Sequence, residues 1–431
     1  MVNKSSRRQF LKSTAGLAAG AITFPYIIPS SALGKAGTVA PSNRITLGFI
    51  GTGKQSKRLM KSFLNSPGTQ VLAGCDVDKL KRERGQKIVE EYYWQKAGGT
   101  YKGCETYGDF RELLARADID AVVIATPDHW HAITVILSAK AGKDIYCEKP
   151  LSQTIVEARE MVNAVRHYGR VFQTGSMQRS DWHFRLGCEL VLNGYIGELK
   201  YVTVSVGGPP EDKPLAAMPV PDYLDWDMWV GPALWRPYNS ELSPHISWDD
   251  YPDWRNNSRF GGGEMTDWGA HHFDIAQWGM GTDDSGPVEI IPPDNKDYKV
   301  LTYKYANGVT MTRGCEGRGV LFTGTKGKVE VDRGHLKTWP DSLKNQQIGP
   351  NEIHLYESRN HYVDWLDAIR KRTKPICDIE IGCRSVTVCH LGNIAYKLNR
   401  PLKWDPKREV IIGDSEAGRL LSRPMRSPWH L

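Results

Sequence analysis

Residues 45–56 of this 431-residue chain read Ile45-Thr-Leu-Gly-Phe-Ile-Gly51-Thr-Gly53-Lys-Gln-Ser56, an apolar run that ends on two glycines. Helical spacing follows at once, with Leu59 and Phe63 one turn apart. The first glycine permits a tight strand-to-helix turn, and the second keeps a side chain away from backbone amides that can bind a pyrophosphate. A second apolar run ends at Asp76, whose carboxylate can accept hydrogen bonds from a ribose. The pattern predicts a dinucleotide-binding turn.

The residues around this turn favour NAD over NADP. Asp76 would repel a 2′-phosphate. The basic residues Lys54, Lys57 and Arg58 weaken the preference, but charged clusters at a helix start more often face water than phosphate. Ser56 replaces the third glycine of the common pattern, so we expect a slightly looser approach of the helix to the sheet.

Short apolar runs alternate with amphipathic stretches from residue 44 to about residue 150. The predicted strands are Ile45–Ile50, Val71–Asp76, Ala121–Ala125 and Asp144–Cys147, and the predicted helices lie near 54–65, 77–93, 109–116 and 130–141. This alternation predicts an α/β fold with a doubly wound parallel sheet in a domain spanning 44–170. Ligands bind such sheets at the carboxyl ends of the strands. Two segments fall there: 126–131, which begins Thr126-Pro127-Asp128, and 147–150, which reads Cys-Glu-Lys-Pro.

The second region, 171–400, shows several strands in succession without helices between them. We expect strands at Leu199–Val206, Asp297–Tyr305, Val309–Cys315, Gly319–Thr323 and Lys328–Val331, with further helices near 153–168, 182–193, 359–371 and 382–398. Such a pattern predicts an α+β domain with a large open, mainly antiparallel sheet. The segment 401–431 is expected to wrap the surface as a tail.

The N-terminal 34 residues resemble a twin-arginine export leader. Ser6-Arg-Arg-Gln-Phe-Leu-Lys12 precedes an apolar stretch and then small residues at 31–34. The leader contains four basic and no acidic residues, so the formal charge of +7 falls by four to +3 in the remainder. This near balance argues against nucleic acid as a partner. We therefore expect an exported, periplasmic protein, and no later segment is apolar enough to span a bilayer.

The eight cysteines show neither disulfide-framework density nor the C-x-x-C spacing of metal sites. They are typical of small buried hydrophobic residues.

A segment rich in tryptophan, 221–255, interrupts the second region and is predicted to be a long loop. Its tryptophans are Trp226, Trp229, Trp235, Trp248 and Trp254. Aromatic faces can pack against sugar rings, with nearby carboxylates and amides binding the hydroxyl groups. The alternative is that these tryptophans pack the loop onto its own domain or onto a second subunit.

Residues 261–274 carry the candidate chemistry: Gly-Gly-Gly-Glu-Met-Thr-Asp267-Trp268-Gly-Ala-His271-His272-Phe-Asp274. On a helix, Asp267 and His271 share a face, and His272 is rotated away. A carboxylate beside an imidazole can orient a general base that removes a hydroxyl proton. A metal site is disfavoured because the side-chain directions do not converge on one ion. A purely structural His–Asp pair remains open.

With these motifs, the chain resembles the Gfo/Idh/MocA oxidoreductases, the family of glucose-fructose oxidoreductase and inositol dehydrogenase. The similarity runs from Arg44 through Asp274 and on to the segments 379–384 and 404–406, which are similar to those of an exported bacterial subgroup. It implies NAD as cofactor, a carbohydrate or polyol as substrate, and a homo-oligomer formed through the open sheet.

The resemblance also implies roles for individual residues. Lys149, His271 and Asp267 would be catalytic, with Lys149 on the substrate hydroxyl and His271 as acid/base. The implied cofactor contacts are Gly51, Thr52, Gly53, Lys54, Gln55, Asp76, Thr126, Pro127, His131, Glu148 and Lys149. The implied substrate contacts are Gln178, Arg179, Tyr223, Trp268 and His272.

Two functions follow from the resemblance. The first is NAD-dependent oxidation of a secondary hydroxyl with a tightly held cofactor, because free NAD is expected to be scarce outside the cytoplasm. The second is a redox-neutral glycoside hydrolase that oxidises a sugar hydroxyl, eliminates the aglycone, adds water and reduces the product. That route needs one more base, for which the sequence offers His272, Asp274 or Tyr223.

Overall fold

The structure, a computed structural model, describes residues 40, 43–97, 101–248, 250–314 and 319–431. The predicted leader at 1–34 and Cys315 lie outside the described residues. Residues Ile45–Leu431 form one compact unit.

Six parallel strands of the described chain form the first sheet, in the order β3-β2-β1-β4-β5-β6. They are β1 (Ile45–Ile50), β2 (Thr69–Cys75), β3 (Glu105–Tyr107), β4 (Ala121–Ile124), β5 (Asp144–Cys147) and β6 (Phe172–Thr174). The helices among them are α1 (Lys54–Leu64), α2 (Lys79–Ala97), α3 (Phe110–Leu114), α4 (His131–Lys140) and α5 (Ile155–His167). The strand order reverses between β1 and β4, which places a ligand crevice at their carboxyl ends. The predicted doubly wound sheet is confirmed; β3 was not predicted, and β6 lies beyond residue 170.

Local sequence explains these elements. All four residues of β4 and of β5 are buried, as expected for strands covered by helices on both faces. Helix α1 buries Leu59, Met60, Phe63 and Leu64 along one stripe. The side chain of Thr154 caps α5 by accepting a hydrogen bond from the backbone N–H of Glu157.

Nine strands of the described residues form the second sheet, in the order β13-β12-β11-β7-β10-β9-β8-β14-β15. They are β7 (Leu199–Ser205), β8 (Glu289–Ile291), β9 (Thr302–Lys304), β10 (Thr310–Gly314), β11 (Val320–Gly324), β12 (Lys328–Asp332), β13 (His335–Trp339), β14 (Leu402–Asp405) and β15 (Val410–Ile411). Neighbouring strands are antiparallel except for the parallel pair β7 and β10. The mainly antiparallel sheet is therefore confirmed. The segment 401–431 does more than wrap the surface, because β14 and β15 extend the sheet.

Helices cover this sheet and connect it to the first one. They are α6 (Trp182–Leu192), α7 (Trp226–Val230), α8 (Glu264–Asp267), α9 (Gly269–Met280), α10 (His361–Lys371), α11 (Ile379–Leu398) and α12 (Ser415–Arg419). Every residue of α9 is buried. The long helix α11 contributes Val388 and Leu391 to the core of the second sheet, and Ile379 and Cys383 to the core of the first. Trp365 of α10 packs in the other core of the first sheet, so the two sheets share their helices.

No helix in the described part of the chain is long and apolar enough to cross a bilayer. The seven cysteines within the described ranges are free and buried, in line with their predicted role as small hydrophobic residues.

Candidate active site

A cavity of about 630 Å³ lies at the carboxyl ends of β1, β2, β4 and β5, and α8, α9 and the Trp-rich loop complete its walls. The glycine turn forms its floor. Gly51 has φ +83° and a Cβ there would lie 2.7 Å from the carbonyl oxygen of Ala125, so the backbone requires glycine. A Cβ on Gly53 would meet no atom within 4 Å, and this residue lines the cavity. The turn therefore leaves space for a phosphate at the N-terminus of α1.

Asp76 lies in the cavity wall at the end of β2. One carboxylate oxygen accepts hydrogen bonds from the backbone N–H of Thr52 at 2.8 Å and from its hydroxyl at 3.2 Å, and the other accepts from the N–H of Asp78 at 3.0 Å. Burial raises the pKa of Asp76. Thr52 is buried and lies outside the cavity lining, so it orients Asp76 and does not fulfil its implied role as a cofactor contact.

Residues Lys54 and Gln55 line the cavity as implied, and both also contact the Trp-rich loop. The Lys54 ammonium lies 4.7 Å from the centre of the Tyr251 ring. The Tyr251 hydroxyl donates to Gln55 Oε1 at 3.4 Å, and Gln55 Nε2 donates to Glu148 Oε1 at 3.1 Å. Burial raises the pKa of Glu148. One chain of contacts thus joins α1, the end of β5 and the loop.

Thr126 and Pro127 line the cavity, but His131 lies behind it. The ring nitrogens of His131 contact two backbone carbonyls, Nδ1 that of Pro150 at 2.9 Å and Nε2 that of Thr126 at 3.0 Å. Burial lowers the pKa of His131 to about 4. The implied cofactor contact is therefore corrected: His131 ties the turn after β4 to the turn after β5.

Lys149 and Asp267 meet in the cavity although 118 residues separate them in the chain. The Lys149 ammonium donates to Asp267 Oδ1 at 2.6 Å and to the Asp267 carbonyl at 3.0 Å. Arg255 lies 3.7 Å from the same Oδ1. Burial opposes ionisation of Asp267, but Lys149 and Arg255 together hold its pKa below the ordinary value. Asp267 is therefore an anion that fixes the Lys149 ammonium.

His271 lines the cavity from the first turn of α9. Its Nδ1 is buried and has no hydrogen-bond partner among the described residues. The helix is interrupted at Trp268, and Asp267 pairs with Lys149, so the predicted His–Asp pair is wrong. Burial, with Lys149 and Arg333 nearby, lowers the pKa of His271 well below its ordinary value. The imidazole is neutral near pH 7 and can accept a proton.

Two oxidoreductase family models match this chain. The description of one is the NAD-binding Rossmann fold, which matches residues 45–176. The description of the other is the C-terminal alpha/beta domain, which matches residues 208–431. This chain belongs to the Gfo/Idh/MocA oxidoreductase family.

The names of two curated relatives describe enzymes that act on sugars. An α-N-acetylgalactosaminidase of Shewanella oneidensis is 32% identical over 208 residues, which are 45% of this chain and 44% of the relative. A 2,7-anhydro-N-acetylneuraminate hydratase of Mediterraneibacter gnavus is 29% identical over 171 residues, which are 39% of this chain and 42% of the relative. The chain thus matches less than half the length of each of these relatives.

Two solved structures of dehydrogenases share the fold of this chain. The WlbA dehydrogenase from Bordetella pertussis, solved with NADH and UDP-GlcNAcA, superposes with a TM-score of 0.59 at 16% identity, over 84% of this chain and 98% of its own. The myo-inositol 2-dehydrogenase from Lactobacillus plantarum gives 0.53 at 16% identity, over 84% of this chain and 99% of its own.

NAD fits the residues of this Gfo/Idh/MocA cavity. The space beside Gly53 accommodates phosphate, Asp76 lies in the wall where the adenosine ribose would bind, and Thr126, Glu148 and Lys149 line the same cavity. NAD is the cofactor of the N-terminal domain.

Four implied substrate contacts lie outside the cavity lining: Gln178, Arg179, Tyr223 and His272. Arg179 is fully buried and bonds the Asp274 carboxylate at 2.8 and 2.9 Å and that of Asp283 at 2.7 Å. His272 Nδ1 contacts the Ser205 carbonyl at 2.8 Å. The Tyr223 carbonyl accepts from the Lys79 N–H at 2.8 Å, which ties the loop to the start of α2.

Gln178 lies outside the cavity lining and connects two residues that line the cavity, His271 and Arg333. With its amide oriented to satisfy its neighbours, its nitrogen donates to the His271 carbonyl at 3.1 Å and its oxygen accepts from Arg333 Nε at 3.2 Å. Of the implied substrate contacts, Trp268 is the one in the cavity lining, where the Arg333 guanidinium lies 4.7 Å from its ring centre.

The Trp-rich loop both packs and lines the site. Trp226 and Trp229 stack with ring centres 4.5 Å apart and share a small core with Trp254. Trp248 lines the cavity with 60% of its surface exposed, and Trp235 is exposed elsewhere. Trp226, Trp229 and Trp254 therefore pack the loop as the alternative expected, although Trp229 and Trp254 also line the cavity, and Trp248 presents an exposed ring there.

Sequence reasoning missed several cavity residues, namely Asp128, Tyr251, Arg255, Glu264 and Arg333. Asp128 and Glu264 lie next to predicted residues, and burial raises the pKa of both carboxyl groups. Arg333 follows β12, and no motif in the sequence connects it with α9. Among the described residues, no group of three or more His, Cys, Asp or Glu side chains is arranged to hold a metal ion.

Proposed function

We propose that this protein uses firmly held NAD to oxidise a secondary hydroxyl of a sugar, glycoside or polyol. One observation carries the proposal: Lys149, Asp267 and His271 line the same cavity as the glycine turn and Asp76. The sugar-directed names of the curated relatives support a carbohydrate substrate.

Lys149 and His271 have different roles towards the substrate hydroxyl. The Lys149 ammonium, held by Asp267, donates to the hydroxyl oxygen and fixes its position. The neutral His271 imidazole accepts the hydroxyl proton at Nε2, since its Nδ1 is buried. When bound, NAD supplies the hydride acceptor for the carbon that carries this hydroxyl.

A redox-neutral glycoside hydrolase is the second candidate. The similarity to the α-N-acetylgalactosaminidase favours it, and so do two further carboxyl groups in the cavity, Asp128 and Glu264. Burial raises the pKa of both carboxyl groups, the direction that a general acid or base needs. They replace the earlier candidates for the additional base, His272, Asp274 and Tyr223, which lie outside the cavity lining.

One experiment separates the two candidates. The purified protein is denatured and the released nucleotide identified, and sugars and aryl glycosides are then screened against the intact protein without added NAD. Release of the aglycone supports the hydrolase. A screen in which sugars reduce the bound nicotinamide and no aglycone is released supports the dehydrogenase, and absence of any bound or bindable NAD contradicts both.

We further propose export by the twin-arginine route to the periplasm. The segment Ser6-Arg-Arg-Gln-Phe-Leu-Lys12 supports it. Replacing Arg7 and Arg8 together by Lys should keep the protein in the cytoplasmic fraction. Unchanged recovery in the periplasmic fraction would contradict this route.

The open second sheet is proposed to form a homo-oligomer. Exposed aromatic residues on its strands, Tyr201 and Trp339, support this proposal. Light scattering after size-exclusion chromatography tests it, and a monomeric mass at micromolar concentration would contradict it.

A further inference from the structure

Arg333 is fixed beside the hydroxyl-handling residues. It begins the turn between β12 and β13, and its guanidinium lies 4.7 Å from the ring centre of Trp268. Gln178 accepts from its Nε at 3.2 Å and at the same time donates to the His271 carbonyl. The arginine head is thus held one side chain away from the proposed base, with its terminal nitrogens left to bind other groups.

The two carboxylates whose charges favour the Arg333 cation, Asp332 and Asp267, are both engaged by other groups. The Asp267 carboxylate is engaged by Lys149 and Arg255, and the Asp332 carboxylate accepts from the backbone N–H of Arg333. Among the described residues, no carboxylate lies within ion-pair distance of the Arg333 guanidinium. The cavity adds another cation nearby, Arg58, whose charge acts against that of Arg333.

Two more carboxyl groups in the cavity, Asp128 and Glu264, are less acidic than ordinary carboxyl groups. Burial raises the pKa of Asp128 well above its ordinary value and also raises that of Glu264, which favours the neutral form of each carboxyl group. The Arg333 guanidinium therefore offers a cation without an ion-pair partner among the described residues, in the same cavity as His271 and Lys149.

We infer that the substrate is an anionic sugar, whose carboxylate, or ester-linked sulfate or phosphate, binds the Arg333 guanidinium while its hydroxyl faces Lys149 and His271. The inference rests on the proposed function and adds the substrate class. Arginine suits planar or tetrahedral oxyanions because its nitrogens can donate two parallel hydrogen bonds. The exposed Trp268 beneath it offers an apolar face to the sugar ring.

Binding to the NAD-loaded protein tests this directly by calorimetry, with matched pairs that share one sugar. The probes are methyl glucoside against methyl glucuronide, galactose against galacturonate, and glucose against glucose 6-sulfate and glucose 6-phosphate. At least one anionic member should bind about tenfold or more tightly than its neutral partner, because a charge-assisted hydrogen bond contributes this much. The pair that shows the preference identifies the anion, and the preference should weaken in high salt.

Two variants complete the test. Arg333→Met should reduce the preference to about twofold or less without lowering the nucleotide content, and Arg333→Lys should keep part of it. The control is Lys337→Met on the same hairpin, whose ammonium lies 4.6 Å from the Trp339 ring, and which should keep the full preference.

Two results overturn the inference: no anionic probe binding more tightly than its neutral partner, or a preference that survives in Arg333→Met. Neutral sugars that reduce the bound nicotinamide without any anion preference would leave the proposed function intact while removing this inference. A protein that holds no NAD would instead remove the proposed function.

Discussion

Two aspartates that flank Trp268 in the sequence, Asp267 and Asp274, each pair with a cationic side chain from a distant part of the chain. Lys149 and Asp267 meet in the cavity with 17% and 21% of their side chains exposed. Arg179 and Asp274 meet beneath α9 with 1% and 0% exposed. The position of Lys149 at the end of a strand and the family resemblance of Arg179 made both residues candidates for substrate chemistry. Access to the cavity, which sequence spacing does not encode, separates a reactive pair from a supporting one.

His271 and its neighbour His272 provide the sharpest test of this comparison. Replacing His271 by Ala should lower kcat/KM by roughly 10²–10⁴-fold, the range for loss of a general base. Its ring lines the cavity, whereas His272 bonds the Ser205 carbonyl outside it. Steady-state kinetics and the nucleotide content of the purified protein check this result.

The matched variant is His272→Gln, which should keep most of the activity. Equal losses in both variants would contradict the distinction between a cavity histidine and a structural one, and so would full activity in His271→Ala.

Arg179→Met should give the largest loss of stability. It leaves the Asp274 carboxylate buried without its cation, and removing one partner of such a pair costs about 3–5 kcal/mol in the free energy of unfolding. Urea denaturation measures it. The control, Asp267→Asn, should lower activity strongly and the free energy of unfolding by about 1 kcal/mol or less, because its pair is partly solvated. Similar losses of stability in the two variants would contradict the difference between the fully buried pair and the cavity pair.

His390 tests how burial acts on an imidazole far from the cavity. Burial lowers its pKa to about 4, and its Nε2 contacts the Ser152 carbonyl. An unfolded histidine has a pKa of about 6.5. Between these values the unfolded state binds the extra proton, so the contribution of His390 is present above about pH 6.5 and is lost as the pH falls towards 4.

Going from pH 7 to pH 5, this residue should lower the free energy of unfolding by about 2 kcal/mol. The variant His390→Gln should show a correspondingly smaller decrease over the same range. Urea denaturation at the two pH values measures the difference, and parallel decreases in the two proteins would refute the assignment.

The smallest expected effect is a loss of NAD affinity, which is tested by replacing two glycines in turn. A Cβ on Gly53 or on Gly418 would meet no atom within 4 Å, but only Gly53 faces the cavity. Gly53→Ala should weaken NAD binding by roughly tenfold, about 1.4 kcal/mol, because the methyl group occupies the phosphate space. Gly418→Ala should leave it unchanged. Fluorescence titration of nucleotide-free protein measures both, and equal affinities would show that the phosphates bind elsewhere.

Much of the first sheet could be predicted because its signals are local. The bounds of β1 and β5 match the predicted runs, and the turn at Gly51 needs only the neighbouring residues. Lys149 was predicted as a site residue from its position at the end of β5. The short strand β3 has no comparable apolar run, since its three residues are partly exposed.

Long-range contacts set the limits of sequence reasoning. Asp267 pairs with Lys149 across 118 residues of chain, which helical spacing could not show. Arg333 reaches the site through the pairing of β12 with β13 and of β12 with β11. Arg179 has the residue type of a substrate contact, and only its burial between Asp274 and Asp283 reveals the structural role.

Helix α11, with its residues in the cores of both sheets, has a consequence for how the protein is made. A nascent chain that ends after β6 lacks Ile379, Cys383 and Trp365, so the nucleotide-binding sheet would present bare apolar surface to water. The core of that sheet is therefore completed only after α10 and α11 have been synthesised. The two sheets should consequently melt in one cooperative transition, and a truncated N-terminal piece should need a chaperone to stay dispersed.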